Sequence, residues 1–239
     1  MWPIVILFFI VLVIFGAVLV RRYIRNKIRK MLLVTPMRPE WVEIISKNVP
    51  MYNHLPDEFK HQLHGLMNVF LVEKRFEGCG GLEITDEIKV TIAAQACMLL
   101  LNRKTRYYPK LRTILVYPNT YVAKQDGKCG ARLGESWLNG PVVLAWDSVQ
   151  GGARNVHDGR NVVFHEFSHR LDQEDGDADG APILENRSSY RTWANVLGKE
   201  FDLLRGKTIK RRRSVLNKYG ATNPAEFFAV ATEAFFEKT

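Results

Sequence analysis

The sequence is poor in cysteine. Its three cysteines, Cys79, Cys97 and Cys129, form no C-x-x-C pair and leave an odd thiol. That argues against a disulfide scaffold and fits a reducing compartment. There is no Gly-x-Gly-x-x-Gly run and no P-loop lysine, so the glycines at 78, 80 and 81 are read as a loop over residues 76–82 rather than a phosphate cradle. The formal charge is +9, yet no basic face interleaved with aromatics and no nucleic-acid-binding module accompanies it, which excludes a nucleic acid as partner. Residues 1–20 contain no charged side chain at all.

That uncharged stretch is long enough to cross a bilayer as one helix. Trp2 and Tyr23 stand near its ends, where interfacial aromatics collect. A secretory leader places basic residues before its apolar core. Here Arg21, Arg22, Arg25, Lys27, Arg29 and Lys30 all follow it. The expectation is therefore a transmembrane anchor over residues 1–20 and a basic juxtamembrane segment over 21–37. A domain over 38–239 then lies in the cytoplasm, beneath an inner or plasma membrane.

The next stretches read as helices. Trp41, Ile44, Ile45 and Val49 recur at helical spacing, with Pro50 as a stop. Pro56 and Asp57 open a second helix carrying Phe59, Leu63, Leu66 and Phe70. His54, His61 and His64 have no third metal ligand near them and are read as surface histidines. Thr85 caps a helix that runs into the almost wholly apolar residues 90–101, where Cys97 is a buried thiol. From residue 113 the pattern turns β-prone. Residues 113–117, 132–137 and 141–146 are read as strands of a small mixed sheet, and 151–159 as a polar connector. His157 in that connector is read as solvent-facing.

Residues 162–171 read VVFHEFSHRL and contain His165-Glu166-x-x-His169. On a helix, side chains four apart share a face. Both imidazoles can then reach one Zn²⁺ while Glu166 stands beside it to activate a water. Two helix histidines and an ordinary glutamate would look the same, but Val162, Val163, Phe164, Phe167 and Leu171 supply the apolar surface of a packed helix. The loop that follows has Asp175, Asp177, Asp179 and Gly180, the opening of a calcium loop. The closing glutamate is missing, since Asn186 stands there, so local turns are expected. Those carboxylates would still suit a cation or a basic substrate group.

Tyr190, Trp193, Leu197, Phe201 and Leu204 line one face of a further helix. Residues 205–213 are read as a basic connector, either a solvated linker or a membrane- or substrate-facing patch. Asn223-Pro224-Ala225-Glu226 is a helix start with Asn as cap and Pro first. Glu226 then occupies the capping-box position. The helix is apolar enough that a carboxylate on it wants a partner, and spacing leaves both Glu226 and Glu233 as third-ligand candidates.

Four segments together resemble the zinc-dependent peptidases of the Mlc titration factor A family, relatives of gluzincins: LEITDEIKVTIAAQACMLLL, RLGESWLNGPVVLAW, NVVFHEFSHRLD and YGATNPAEFFAVATEAFF. The resemblance covers roughly residues 82–236. It implies an α+β zincin-like metallopeptidase domain with a small mixed sheet, preceded here by one transmembrane helix. It also implies His165, His169 and Glu226 as zinc ligands, Glu166 as catalytic base and Tyr219 as transition-state helper. Related chains continue for another helical stretch beyond the position of Thr239, so a truncated C-terminus is expected.

The function implied is hydrolysis of a peptide or protein substrate by metal-activated water, with Zn²⁺ as cofactor. The rival reading is a membrane-tethered regulator that binds a transcription factor or another cytoplasmic protein, with zinc in a structural role. Glu166 speaks against the rival, because a purely structural site has no need of it and is usually closed by four protein ligands.

Overall fold

The structure is a computed structural model that describes residues 2–103, 107–121 and 140–238. The described chain is mostly helical, with one small three-stranded sheet. The first helix, α1 (Trp2–Val34), is continuous from the uncharged stretch through the basic one. It is the one described helix long and apolar enough to cross a membrane, and the exposed apolar side chains along it include Phe8, Phe9, Ile14 and Phe15.

The C-terminal turns of α1, within the expected juxtamembrane segment, are not separate from the rest of the chain. They pack on α4 (Asp57–Glu73). Arg29 donates from Nε and Nη2 to the two Glu73 carboxylate oxygens at 2.6 and 2.7 Å, a two-pronged pairing that fixes direction as well as distance. The Arg29 guanidinium also lies 4.6 Å from the centre of the Tyr107 ring. Asn68 Nδ2 donates to the Leu32 and Thr35 carbonyls, satisfying acceptors that a helix end leaves open. Gly65 makes the approach possible, because a Cβ there would collide with the Leu33 carbonyl oxygen.

Two short helices, α2 (Pro39–Asn48) and α3 (Pro50–Asn53), connect α1 to α4. Both begin with proline, whose missing N–H costs nothing in a first turn. Pro50 thus ends one helix by opening another. His64 is not a surface histidine: it is half-buried and shares a 3.0 Å hydrogen bond with the Tyr52 hydroxyl.

The sheet holds β1 (Arg75–Gly78), β2 (Thr113–Tyr117) and β3 (Val142–Ala145), in the order β1-β2-β3. Phe76 pairs with Ile114 and Ile114 with Val142, and both pairings are parallel. The described sheet is therefore parallel where the sequence suggested a mixed one. Its first strand falls partly in the stretch read as a loop. Strand β1, with the sequence RFEG, has too little alternation to announce itself and is held by its neighbour. The strand expected at 132–137 lies outside the described residues.

Helix α5 (Asp86–Met98) is capped by Thr85, whose hydroxyl accepts from the Ile88 N–H. It runs through the core against α2, α4 and the helix Val162–Asp172 that carries the two site histidines. A helix α6 (Trp146–Arg154) follows β3 directly. It replaces part of the expected connector, with Val149, Gly152 and Ala153 buried. Helix α7 (Val162–Asp172) comes next, then α8 (Arg187–Ile209), a 3-10 turn (Lys218–Ala221) and α9 (Pro224–Glu237). Helix α8 continues to Ile209, so only the second half of the basic 205–213 stretch is a connector. Phe164 and Phe167 of α7 are 1% and 0% exposed, and Phe167 packs against Tyr108 and Phe70. Truncating such a ring to alanine costs about 3–5 kcal/mol, so α7 is anchored from beneath.

A candidate metal centre on two helices

Helix α7 presents the His-Glu-x-x-His sequence and α9 faces it. Asn161 sets the start of α7: its Oδ1 accepts from the Val163 and Phe164 N–H groups at 3.0 and 3.1 Å. Asn223 does the same for α9, accepting from the Glu226 N–H at 2.9 Å. Glu226 therefore receives a cap at its main chain, and its own side chain does not close a capping box. It turns instead to the two histidines.

The three side chains converge. His165 Nε2 and His169 Nε2 lie 3.3 Å apart. Glu226 Oε2 is 3.1 Å from the first and 3.5 Å from the second. Two metal–nitrogen bonds of about 2.0–2.1 Å at a tetrahedral angle separate their nitrogens by about 3.3–3.4 Å, so the spacing fits one ion. Glu226 Oε2 is buried, and among the described residues its polar neighbours are the two imidazole nitrogens, neither in an aligned hydrogen bond with it. A buried carboxylate needs a partner, and a cation held by His165, His169 and Glu226 would be one.

Glu233 has a different place from the one spacing left open for it. Its Oε2 lies 3.1 Å from His165 Nδ1, on the far side of the ring from Glu226, and its Oε1 accepts from the Asn161 N–H at 2.8 Å. Carboxylates in this position fix a ligating histidine's tautomer and raise its basicity. Burial opposes charge on His165, but the contacts with Glu226 and Glu233 outweigh it and push the imidazole up to about 10. Burial likewise works against Glu226, and the two histidines overcome it, holding the carboxyl at about 2. Without an ion, the cluster is a charged imidazolium–carboxylate set.

Glu166 is half-buried beside this cluster and makes no hydrogen bond or ion pair among the described residues. Burial raises its pKa, against the opposing pull of His165, His169 and Arg170. Tyr219, on the 3-10 turn, is half exposed and its hydroxyl donates to Glu226 Oε1 at 3.4 Å. Its pKa is raised by partial burial and by the Glu226 charge, which keeps the hydroxyl a donor.

The other candidates lie elsewhere. His157 is exposed and outside the cluster. The aspartates after α7 serve local turns: Asp175 Oδ1 accepts from Asp177 N–H and Asp179 Oδ1 from Ala181 N–H, while Asp172, the last residue of α7, accepts from Gly180 N–H and closes the loop. The residues that sequence reasoning missed are Asn161 and Gln95, both buried. The signal for Gln95 was polarity within an otherwise apolar run, and for Asn161 a capping residue type just before the apolar start of a helix.

A mostly helical domain with two histidines one turn apart and a glutamate from a later helix has the arrangement of a metallopeptidase. Residues 21–239 match the family described as glucose-regulated metallo-peptidase M90, and the chain belongs to that family. It is 40% identical over 219 residues to an uncharacterized protein of Synechocystis, covering 87% of this chain and 80% of the relative. It is 30% identical over 204 residues to Mlc titration factor A of Klebsiella pneumoniae, covering 79% and 74% of the two chains. It is also 30% identical over 217 residues to the protein of that name from Escherichia fergusonii, covering 83% and 77%.

Proposed function

We propose that this chain is a zinc-dependent peptidase in which His165, His169 and Glu226 hold the ion. The observation that carries this reading is the convergence of three ligand atoms beside a carboxylate, Glu166, that makes no hydrogen bond or ion pair among the described residues. Two imidazoles and one carboxylate suit Zn²⁺ and leave a coordination position open, as catalytic sites do. When bound, the ion would supply Lewis-acid polarisation of the scissile carbonyl and acidify an attacking water.

The protein's own groups do the rest. Glu166 takes a proton from the attacking water as its oxygen bonds to the carbonyl carbon, and returns that proton to the amine as the C–N bond breaks. Its raised pKa brings it nearer the working pH of such a shuttle. The Tyr219 hydroxyl stands ready to donate to the oxygen that gains negative charge, a contribution of about 3 kcal/mol for one such donor. Strand β3 is an edge of the described sheet and packs against α7. It suits an extended peptide, which would add main-chain hydrogen bonds there.

The test is Glu166→Gln in the full chain. Zinc stoichiometry equal to wild type with loss of peptide cleavage is the expected result. Full hydrolysis by the zinc-loaded variant overturns the assignment.

A second reading has support from the comparisons. The named relatives are called titration factors, which describes action on another protein rather than hydrolysis. By that measure a regulatory role, with a transcription factor or other cytoplasmic protein as partner, has the more direct support. In this reading the zinc is structural. Capture of the same partner by wild type and Glu166→Gln, with no peptide cleaved by either, would establish it in place of the first.

We further propose that residues 1–20 anchor the chain once in the inner or plasma membrane, that 21–37 form the juxtamembrane segment, and that the domain 38–239 works in the cytoplasm. The placement of the positive charges after the apolar stretch supports this orientation. A C-terminal tag should resist protease in intact cells and stay with membranes in high salt, which strips binding due to charge alone. A tag digested without permeabilisation overturns the topology.

A further inference from the structure

Helix α5 holds a glutamine where the core has no evident use for one. Gln95 is 1% exposed, among Ile92, Ala93, Ala94, Ala96 and Cys97, all at 0%. Leucine or methionine would fill the same space without the cost of burying an amide. Both ends of the amide are instead engaged. Gln95 Nε2 donates to the Thr91 carbonyl one turn back at 3.1 Å, and its Oε1 accepts from Asn161 Nδ2 at 2.8 Å.

That second bond orients Asn161, and Asn161 governs His165 from two sides. With Nδ2 bonded to Gln95 and also facing the Glu237 carboxylate, Asn161 Oδ1 faces the start of α7 and caps it. The Asn161 carbonyl accepts the His165 main-chain N–H at 2.9 Å. The Asn161 N–H holds Glu233 Oε1 at 2.8 Å, and the other oxygen of that carboxylate meets His165 Nδ1. Backbone and ring of His165 thus both trace to one asparagine, whose side chain is aimed by Gln95. A half-satisfied buried network is unstable, so loss of the Gln95 acceptor would be felt at Asn161.

We propose that Gln95 is a positioning residue for the metal centre. It acts through Asn161 and Glu233 to keep His165 Nε2 directed at the point shared with His169 and Glu226. The proposal rests on the reading of that cluster as a zinc site.

The experiment measures Zn²⁺ affinity of the full-length protein by competition with a chromophoric chelator. Alongside it, ¹⁵N NMR of the metal-free protein reports the ring state of His165. Gln95→Leu should bind zinc at least about tenfold more weakly, the lower end for loss of a partner behind a ligand, and should show a mixture of ring states. Gln95→Glu should bind close to wild type, since a carboxyl can accept from Asn161 and, when protonated, donate to Thr91. Thr91→Val changes a polar group in the same core without touching Asn161 and should leave affinity unaltered. Should Gln95→Leu not fold, Asn161→Ser keeps a capping oxygen while losing Gln95, and should show the same weakening. Wild-type affinity in whichever of these two folds overturns the proposal, and so does an equal loss in Thr91→Val. A wild-type chain that binds no zinc overturns the reading of the cluster itself, and the proposal with it.

Discussion

Glu233 Oε2 stands 3.1 Å from His165 Nδ1, opposite the nitrogen that faces Glu226 and His169. One glutamate of α9 meets the outer face of the ring and the other the inner face, seven residues apart. Glu233→Gln keeps a hydrogen-bonding shape but removes the charge. Zinc affinity should fall about 10- to 100-fold, while the variant still folds. Unchanged affinity by chelator competition would show that the charge behind His165 does not matter.

Tyr219→Phe removes one hydroxyl from a half-exposed ring and leaves the three cluster side chains in place. If the proposed hydrolysis is correct, kcat should drop about 100-fold, consistent with one donor to a developing oxyanion. KM and zinc content should hardly move. A change confined to KM would assign the ring to substrate binding instead.

The metal-free cluster predicts a pH dependence. The folded pKa of His165 is raised from 6.5 to about 10, so its contribution to stability is fully present below pH 6.5 and is lost as pH rises through about 10. Glu226 is depressed from 4.5 to about 2, so its contribution is present above pH 4.5 and is lost as pH falls through about 2. From these two groups, chelator-treated protein should be most stable between pH 4.5 and 6.5. Zinc must displace the His165 proton, so affinity should rise by up to about tenfold per pH unit between pH 6 and 9. Thermal melts with and without metal across that range check both slopes, and a flat zinc affinity contradicts them.

The contact between α1 and α4 offers a separate test. Gly65→Val places a side chain against the Leu33 backbone. Overpacking of this kind costs about 1–3 kcal/mol, and the segment around Thr35 and Pro36 should become open to protease. Equal resistance to cleavage and an unchanged melting temperature would mean that α1 is not clasped to the domain.

The elements that carry the site were legible because each obeys a local rule. Two histidines four apart mark α7, Asn223 caps α9 and Pro224 opens it, and the face of α8 follows from Tyr190 to Leu204 at helical spacing. Strand β1 and helix α6 were not legible, because neither has a pattern that outweighs its tertiary neighbours: β1 is four residues long, and α6 contains two adjacent glycines. The choice between Glu226 and Glu233 lies beyond spacing, since seven residues return nearly to the same face. Only the position of the His165 ring between them separates the two. Gln95 was hidden by the apolar run around it, which drew attention to packing and away from its hydrogen bonds.

The clasp formed by Arg29, Glu73, Asn68 and Gly65 has a consequence for what the proposed site can reach. Helix α1 enters the domain without a break, so there is no slack between the two. If residues 1–20 lie in a bilayer, as proposed above, the helical rise from Val20 to Arg29 sets a standoff of about 14 Å. An enzyme on a loose tether searches a volume, whereas one on a rigid strut sweeps a single plane. Substrates of such a protein would be selected first by altitude, by how far a cleavable bond stands from the membrane, and only then by sequence.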